Sequence, residues 1–255
     1  MEWLGSTPLS REIRLVPDAR TLRTASRAGT LTLPATRRTG GTLPPPSDRT
    51  GDGAPHEGAE GVIRFRHELR PPAPGDEPPL ERFRSARDRA RELGVVGRDP
   101  ERYQGLAFGN LSLREGTGFW ITASQRVDAG VLEADDLIRV TSVTAEGAVL
   151  CRGRRPPSSE TLTHAAVQDA APPGPLAVLH GHAPALWRNP PPDWPDSPPG
   201  AANGTIALAT AVHEAVRRHP EAGWLVMRGH EDGILAWSTD FDRILAGLTR
   251  ILADR

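Results

Sequence analysis

The order of strand and helix patterns after about residue 60 constrains the fold of this chain more than any other feature. Six short segments have the apolar alternation or apolar content that is typical of strands, at residues 62–69, 119–122, 137–143, 176–180, 224–229 and 233–238. Helix patterns stand between and after them, at residues 78–94, 160–168, 205–218 and 240–253. This mixed order predicts one α/β domain over residues 61–255.

The first 60 residues have a different composition. They are rich in Thr, Arg, Gly and Pro, and runs such as TRRTGGTLPPPSDRTGDGAP show no apolar period. Such a segment buries too little apolar surface to offset the entropy that is lost on ordering. We therefore expect residues 1–60 to be a disordered N-terminal tail. Its arginines and few acids resemble a transit peptide, but it has no amphipathic helical pattern, and a misassigned start site would explain the composition equally well.

Composition excludes several classes of protein. No run approaches the roughly 18 apolar residues of a transmembrane helix, and a net charge of −1 gives no basic face for nucleic acid. The single cysteine, Cys151, cannot form an internal disulfide, so we expect a cytoplasmic protein. All 31 basic residues are arginine, and the absence of lysine excludes Schiff-base enzymes, pyridoxal-phosphate enzymes and lysine-dependent P-loops.

Two histidines separated by one glycine end the apolar segment LAVLHGH. On a strand, positions i and i+2 face the same side roughly 6.6 Å apart, so His180 and His182 can approach one metal ion. A catalytic zinc site needs three protein ligands and an open position. The best third candidate is His230, because it follows the apolar segment WLVMRG as His180 follows LAVL. For the isolated histidines we expect surface or hydrogen-bonded core positions: His56, His67, His213 and His219.

A serine pair and a glutamate begin a predicted helix in the segment PPSSETLTH. The hydroxyls and N–H groups of Ser158 and Ser159 suit an anion such as phosphate, or they serve only as a helix cap. Glu160, if it lies beside a metal, is suited to transfer a proton to or from a substrate. His164 lies one helical turn later, and we expect it to be structural, with a Glu-x-x-x-His metal pair as the alternative.

Five ordered segments together resemble the class II aldolase/adducin family, in particular a short and poorly characterised bacterial branch. They are GLAFGNLSLR (105–114), FWITAS (119–124), SSETLTH (158–164), LAVLHGHAP (176–184) and LVMRGHEDGILAWS (225–238). The resemblance covers about residues 62–255. It implies a three-layer α/β/α domain around a central, mostly antiparallel sheet. It also implies a homotetramer with active sites between subunits.

The resemblance also implies residue roles. The metal ligands fall on His180, His182 and His230, with Zn²⁺ as the expected ion, and the acid/base carboxylate falls on Glu160. The phosphate-binding residues of the family fall on Gly109, Asn110, Thr122, Ser124, Ser158 and Ser159.

The resemblance implies a metal-dependent, aldolase-like lyase, or a dehydratase or epimerase. Such an enzyme acts on a small hydroxy-carbonyl or sugar-phosphate-like substrate through a metal-stabilised enediolate. The alternative is a non-catalytic, adducin-like binding or scaffold module. Metal-assisted hydrolysis ranks third, because no second metal-binding cluster is apparent in the sequence.

Two departures from the family pattern argue against a strict sugar-phosphate aldolase. Gln125 stands where the family has glycine, and its side chain adds bulk where a phosphate would approach the backbone. Family aldolases use tyrosines near the C-terminus as proton donors, whereas the only tyrosine here is Tyr103.

Overall fold

The computed structural model describes residues 61–220 and 223–254, so the predicted tail at residues 1–60 lies outside the described residues. The strands are β1 (His67–Arg70), β2 (Gly97–Arg98), β3 (Ala107–Phe108), β4 (Asn110–Glu115), β5 (Gly118–Thr122), β6 (Leu137–Val143), β7 (Val149–Arg152), β8 (Ala177–His182), β9 (Trp224–Val226) and β10 (Gly233–Ser238). The helices are α1 (Leu80–Glu92), α2 (Thr161–Ala170), α3 (Pro184–Arg188), α4 (Ile206–Arg218) and α5 (Phe241–Ala253).

Eight of these strands form one sheet in the order β1-β7-β6-β5-β4-β8-β10-β9. The pairing of β1 with β7 is parallel, and the other neighbouring pairs are antiparallel. The two short strands β2 and β3 pair separately. The prediction of a mostly antiparallel central sheet is therefore confirmed.

Helices cover both faces of this sheet because successive strand residues point to opposite sides. On one face, Leu179 of β8 and Ala236 of β10 share a core with apolar residues of α1 and α5. On the other face, Val178 and Trp237 share a core with α2 and α4. The predicted three-layer α/β/α arrangement is confirmed.

Most predicted elements occur close to their expected bounds, and the exceptions have local causes. The predicted strand at 62–69 is a strand only from His67, because Arg64 instead bonds to the backbone and side chain of Asn203. The sequence did not predict β4, in which the polar Ser112 is fully buried. Trp224–Val226 ends early because the chain then turns, with the His230 N–H donating to the Met227 carbonyl at 3.0 Å.

Within the described part of the chain, no helix has the length and apolar character that crossing a membrane requires.

Candidate active site at the end of β8

His180 and His182 lie on the same face of β8, the face that α2 and α4 cover. Both are buried, and each is opposite a residue of β10 in the antiparallel register, Leu235 and Gly233 respectively. The intervening Gly181 allows a close backbone contact on the opposite face. A Cβ atom there would lie 2.8 Å from the Val95 carbonyl oxygen, and the His182 N–H donates to that same oxygen at 2.8 Å.

The turn between β9 and β10 brings His230 to this end of β8. The His230 carbonyl accepts a hydrogen bond from the Gly233 N–H at 3.0 Å, and Gly233 begins the strand that pairs with His182. The ring centroids of His180, His182 and His230 are 4.8 to 5.2 Å apart. One nitrogen from each ring lies within 4.8 Å of the others. The structure therefore brings the three predicted metal ligands together.

The chemistry of this histidine cluster fits a divalent metal ion. The Nδ1 atom of His180 lies 3.0 Å from the Ile234 carbonyl oxygen in a hydrogen bond. Because a carbonyl only accepts, this bond assigns the ring proton to Nδ1 and the lone pair to Nε2. A neutral imidazole that is oriented through its other nitrogen is the usual form of a metal-binding histidine. All three rings are buried, so the cluster is also shielded from competing water.

Glu160 lies at the start of α2, directly beside the histidine cluster. Its Oε1 atom is 3.8 Å from His230 Nδ1, and the Thr163 hydroxyl donates to its Oε2 atom at 2.6 Å. The side chain is only 1% exposed. A carboxylate held in this way lies within reach of a group that binds at the three imidazoles.

Two residues of the predicted anion-binding set lie against β8. Asn110 is opposite His180 in the register between β4 and β8, and it is buried. Its Oδ1 atom has no hydrogen-bond partner within residues 61–220 and 223–254. The preceding Gly109 has a φ of 81°, and a Cβ atom there would lie 2.6 Å from the Val96 side chain. Glycine is thus required at 109 for the backbone to approach this closely.

Of the remaining predicted anion-binding residues, Thr122 ends β5, and Ser124, Ser158 and Ser159 lie in two adjacent loops that meet at the bridge between Ala123 and Pro157. Their polar groups take part in internal hydrogen bonds. The Thr122 hydroxyl accepts from the Leu111 N–H at 3.2 Å, and the Ser158 hydroxyl accepts from the Glu160 N–H at 3.2 Å. The Ser124 N–H donates to the Pro156 carbonyl at 3.1 Å. Ser159 is buried next to Glu160. The Ser158 hydroxyl therefore bonds within the turn that precedes α2, and no side-chain hydrogen bond caps this helix at its N-cap residue Glu160.

Gln125 fills part of this region with its side chain. Its amide oxygen accepts from the Ala107 N–H at 2.8 Å, and its amide nitrogen donates to the Ala107 carbonyl at 3.0 Å. The residue has a φ of 58°, in the left-handed region that favours glycine. The paired hydrogen bonds with Ala107 offset the strain of this conformation.

His164 lies deeper between α2 and the sheet, and its contacts are those of a structural residue. Its Nδ1 atom is 2.7 Å from the Ser112 hydroxyl, which also accepts from the Gln168 amide at 3.2 Å. Burial lowers the pKa of His164 to about 3, so its ring is neutral at physiological pH.

Three functional candidates that the sequence did not reveal are Arg102, Tyr103 and Asp232. The Tyr103 ring meets the His182 ring edge-on, with centroids 4.4 Å apart, and its hydroxyl donates to the buried Asp232 carboxylate at 2.8 Å. Arg102 pairs with the same carboxylate. Asp232 was discoverable as the acidic residue two positions after His230, but no local pattern links Tyr103 to the histidines.

A cavity of about 200 Å³ lies between β6, α2 and α4. Its lining is largely apolar and includes Val140, Leu162 and Ala209. None of the three clustered histidines lines it, so this cavity is separate from the candidate site.

Comparison with known proteins gives one family match and several structural similarities. Residues 100–187 match the family model described as the class II aldolase and adducin N-terminal domain. This range contains Glu160, His180 and His182, whereas His230 lies beyond it. No curated protein matches the sequence significantly.

Three solved structures illustrate the structural similarity. L-fuculose-1-phosphate aldolase from Thermus thermophilus is 24% identical, with a TM-score of 0.49 over 68% of this chain and 92% of that one. YgbL from Klebsiella pneumoniae, described as a putative aldolase/epimerase/decarboxylase, is 17% identical, with a TM-score of 0.44 over 68% and 86%. A sugar-phosphate aldolase from Thermotoga maritima is 13% identical, with a TM-score of 0.40 over 68% and 95%.

Proposed function

Because this chain belongs to the class II aldolase and adducin family, we propose that it is a divalent-metal-dependent lyase of the aldolase type, or an epimerase or dehydratase. Its substrate is a small hydroxy-carbonyl compound. The observation that carries this proposal is the convergence of three buried imidazoles beside one buried carboxylate. A structural core has no need of four such polar side chains in one place, since burying them costs free energy.

In this proposal His180, His182 and His230 hold the metal, and Zn²⁺ is the expected ion. When bound, such an ion polarises a substrate carbonyl as a Lewis acid and stabilises negative charge on its oxygen. Three imidazoles also accept manganese, iron or cobalt, because availability as well as ligand type decides occupancy.

Glu160 is the proposed acid/base residue. Its carboxylate is fixed by the Thr163 hydroxyl and lies 3.8 Å from His230 Nδ1, so it is positioned for a substrate bound at the histidine cluster. It would remove a proton from the carbon next to the substrate carbonyl and return it later to carbon or oxygen. Epimerisation and dehydration begin with this removal, whereas aldol cleavage removes a hydroxyl proton, breaks the carbon–carbon bond and then delivers a proton to the same carbon. Proton transfer between Glu160 and that carbon therefore suits all three reactions.

We propose that Gly109, Asn110, Thr122, Ser124, Ser158 and Ser159 contact the end of the substrate that the proposed metal does not bind. The buried Oδ1 atom of Asn110, without a partner in the described part of the chain, favours a polar substrate group there. The Gln125 side chain occupies neighbouring space and is bonded to Ala107. This favours a small, uncharged polar group over a phosphate at this end.

The second candidate function is a non-catalytic, adducin-like binding module. Burial favours it, because His180, His182, His230 and Glu160 are each at most 3% exposed in the single chain. A substrate reaches such a site only if neighbouring loops move. The catalytic proposal therefore requires an opening motion, and the binding module does not.

The test of the proposed function is proton exchange in D₂O, because it needs no knowledge of the second substrate. The protein is loaded with Zn²⁺ and incubated with dihydroxyacetone, hydroxyacetone and dihydroxyacetone phosphate, and loss of the carbon-bound protons is followed by NMR. We expect exchange that a chelator abolishes. Metal binding without exchange on any compound would support the binding module instead.

We further propose that the protein is cytoplasmic and forms a homotetramer. The exposed Ile206, 47% accessible, and the neighbouring apolar cavity provide surface that self-association would cover. Light scattering coupled to size-exclusion chromatography should give a mass near four chains. A monomer across a range of concentrations would refute the tetramer.

A further inference from the structure

We propose that Tyr103 is a positioning residue for His182, held in place by Asp232. This inference rests on the proposed metal site, because it assigns Tyr103 a role in orienting one of the three metal-binding rings. Three features support it: the ring contacts of His182, the connections of Asp232 and the backbone conformation at Tyr103.

The His182 ring is enclosed by aromatic side chains as well as by the other two histidines. The Tyr103 ring meets it at 89° with centroids 4.4 Å apart, and the Phe108 ring lies 5.2 Å away on another side. The rings of Tyr103 and Phe108 also pack on each other, with centroids 5.1 Å apart. An edge-on contact at this distance restricts rotation of the imidazole about its χ2 angle.

The Asp232 carboxylate ties together three separate segments of the site. This carboxylate accepts a hydrogen bond from the Tyr103 hydroxyl at 2.8 Å and forms an ion pair with Arg102. The backbone carbonyl of Asp232 accepts a hydrogen bond from the Ala183 N–H at 2.8 Å. Ala183 follows His182, and Asp232 lies two residues after His230. One buried residue therefore links the segments that carry Tyr103, His182 and His230.

The backbone conformation at Tyr103 indicates that this arrangement is imposed by the surrounding structure. Tyr103 and Gln104 have φ angles of 50° and 58°, in the left-handed region where residues other than glycine are strained. Gly105 continues the turn with a φ of 67°. Strain of this kind persists only where other contacts stabilise the conformation, and the bonds to Asp232 and the packing on His182 are such contacts.

The test measures Zn²⁺ affinity by competition with a chromophoric chelator, and the visible absorption of the Co²⁺-loaded protein. Tyr103→Leu removes both the ring contact and the hydroxyl, and Tyr103→Phe removes only the hydroxyl. Phe65→Leu is the matched control, because Phe65 is a half-buried aromatic residue next to a histidine outside the site. The ring centroids of Phe65 and His67 are 6.2 Å apart.

We expect Tyr103→Leu to weaken Zn²⁺ binding about 10- to 100-fold, as is usual for residues that orient metal ligands, and to change the Co²⁺ spectrum. Tyr103→Phe should recover part of this loss, and Phe65→Leu should bind like the wild type. If both Tyr103 variants match Phe65→Leu in affinity and spectrum, the positioning role is wrong. If the wild type itself binds no metal, the proposed metal site fails and this inference fails with it.

Discussion

Buried histidines occur at two places on the same side of the sheet, His164 in α2 and the histidine cluster at the end of β8, and the two places differ in what surrounds them. His164 contacts Ser112 of β4, and Ser112 in turn bonds to Gln168 of the same helix. At the end of β8, by contrast, three imidazole rings lie beside Glu160, and their centroids are at most 5.2 Å apart. Burial is similar in both places. Convergence of imidazoles with a carboxylate, and not burial of a histidine, therefore distinguishes a site from a core.

The largest expected effect is on proton transfer at the histidine cluster. Glu160→Gln should lower the rate of proton exchange in D₂O about 10²- to 10⁴-fold, because the amide cannot accept the proton. Metal content should not change, since Glu160 is not a proposed ligand. Glu146→Gln, at an exposed turn, is the matched control and should exchange at the wild-type rate. Full activity of the Glu160 variant would remove this residue from the mechanism.

The second prediction concerns stability at low pH and tests the structural histidine. Burial lowers the pKa of His164 from 6.5 to about 3, so between these values the unfolded chain binds a proton that the folded chain excludes. The stabilisation from neutral His164 is therefore complete above pH 6.5 and declines as the pH falls. The decline is about 1.4 kcal/mol per pH unit, or about 2 kcal/mol between pH 6.5 and pH 5.

Urea denaturation of the wild type and of His164→Asn measures this effect. Asparagine places an amide near the position of Nδ1 but cannot be protonated. The destabilisation caused by the substitution should therefore shrink by about 2 kcal/mol on going from pH 6.5 to pH 5. A difference that stays constant with pH would mean that His164 is not held neutral by burial.

The third prediction concerns the close backbone contact behind the histidine pair. A Cβ atom at Gly181 would lie 2.8 Å from the Val95 carbonyl oxygen, so Gly181→Ala forces the backbone of Val95 away from β8. We expect a loss of about 1 to 3 kcal/mol in the free energy of unfolding. Gly130→Ala is the matched control, because nothing lies within 4 Å of its Cβ position, and it should change stability little. Equal stability of the two variants would show that the close packing at Gly181 is unimportant.

Much of the fold was predictable because most elements have clear periods. The helix patterns and the strands 137–143 and 233–238 were predicted within a few residues, since their apolar residues repeat with the helix or strand period. The β4 strand was missed although its residues NLSLR alternate between polar and apolar, and the polar Ser112 faces the buried His164 and not solvent. The boundary at residue 61 of the predicted domain stays a prediction.

The candidate site was predictable only where spacing along one strand sets the geometry. His180 and His182 share a face because a strand repeats every two residues, and His230 was inferred from its place after the next apolar segment. Tyr103 lies far upstream of all three histidines in the sequence. Only the long-range contacts with His182 and Asp232 bring it to the histidine cluster, and no local pattern encodes such contacts.

The most direct test of the account is elemental analysis of the purified wild type beside His180→Ala and His164→Asn, after reconstitution with Zn²⁺. If His164 and the histidine cluster differ as described, the wild type and His164→Asn should each hold about one ion per chain, and His180→Ala should hold almost none. Absence of metal from all three proteins, or equal metal in all three, would contradict a metal site at the end of β8.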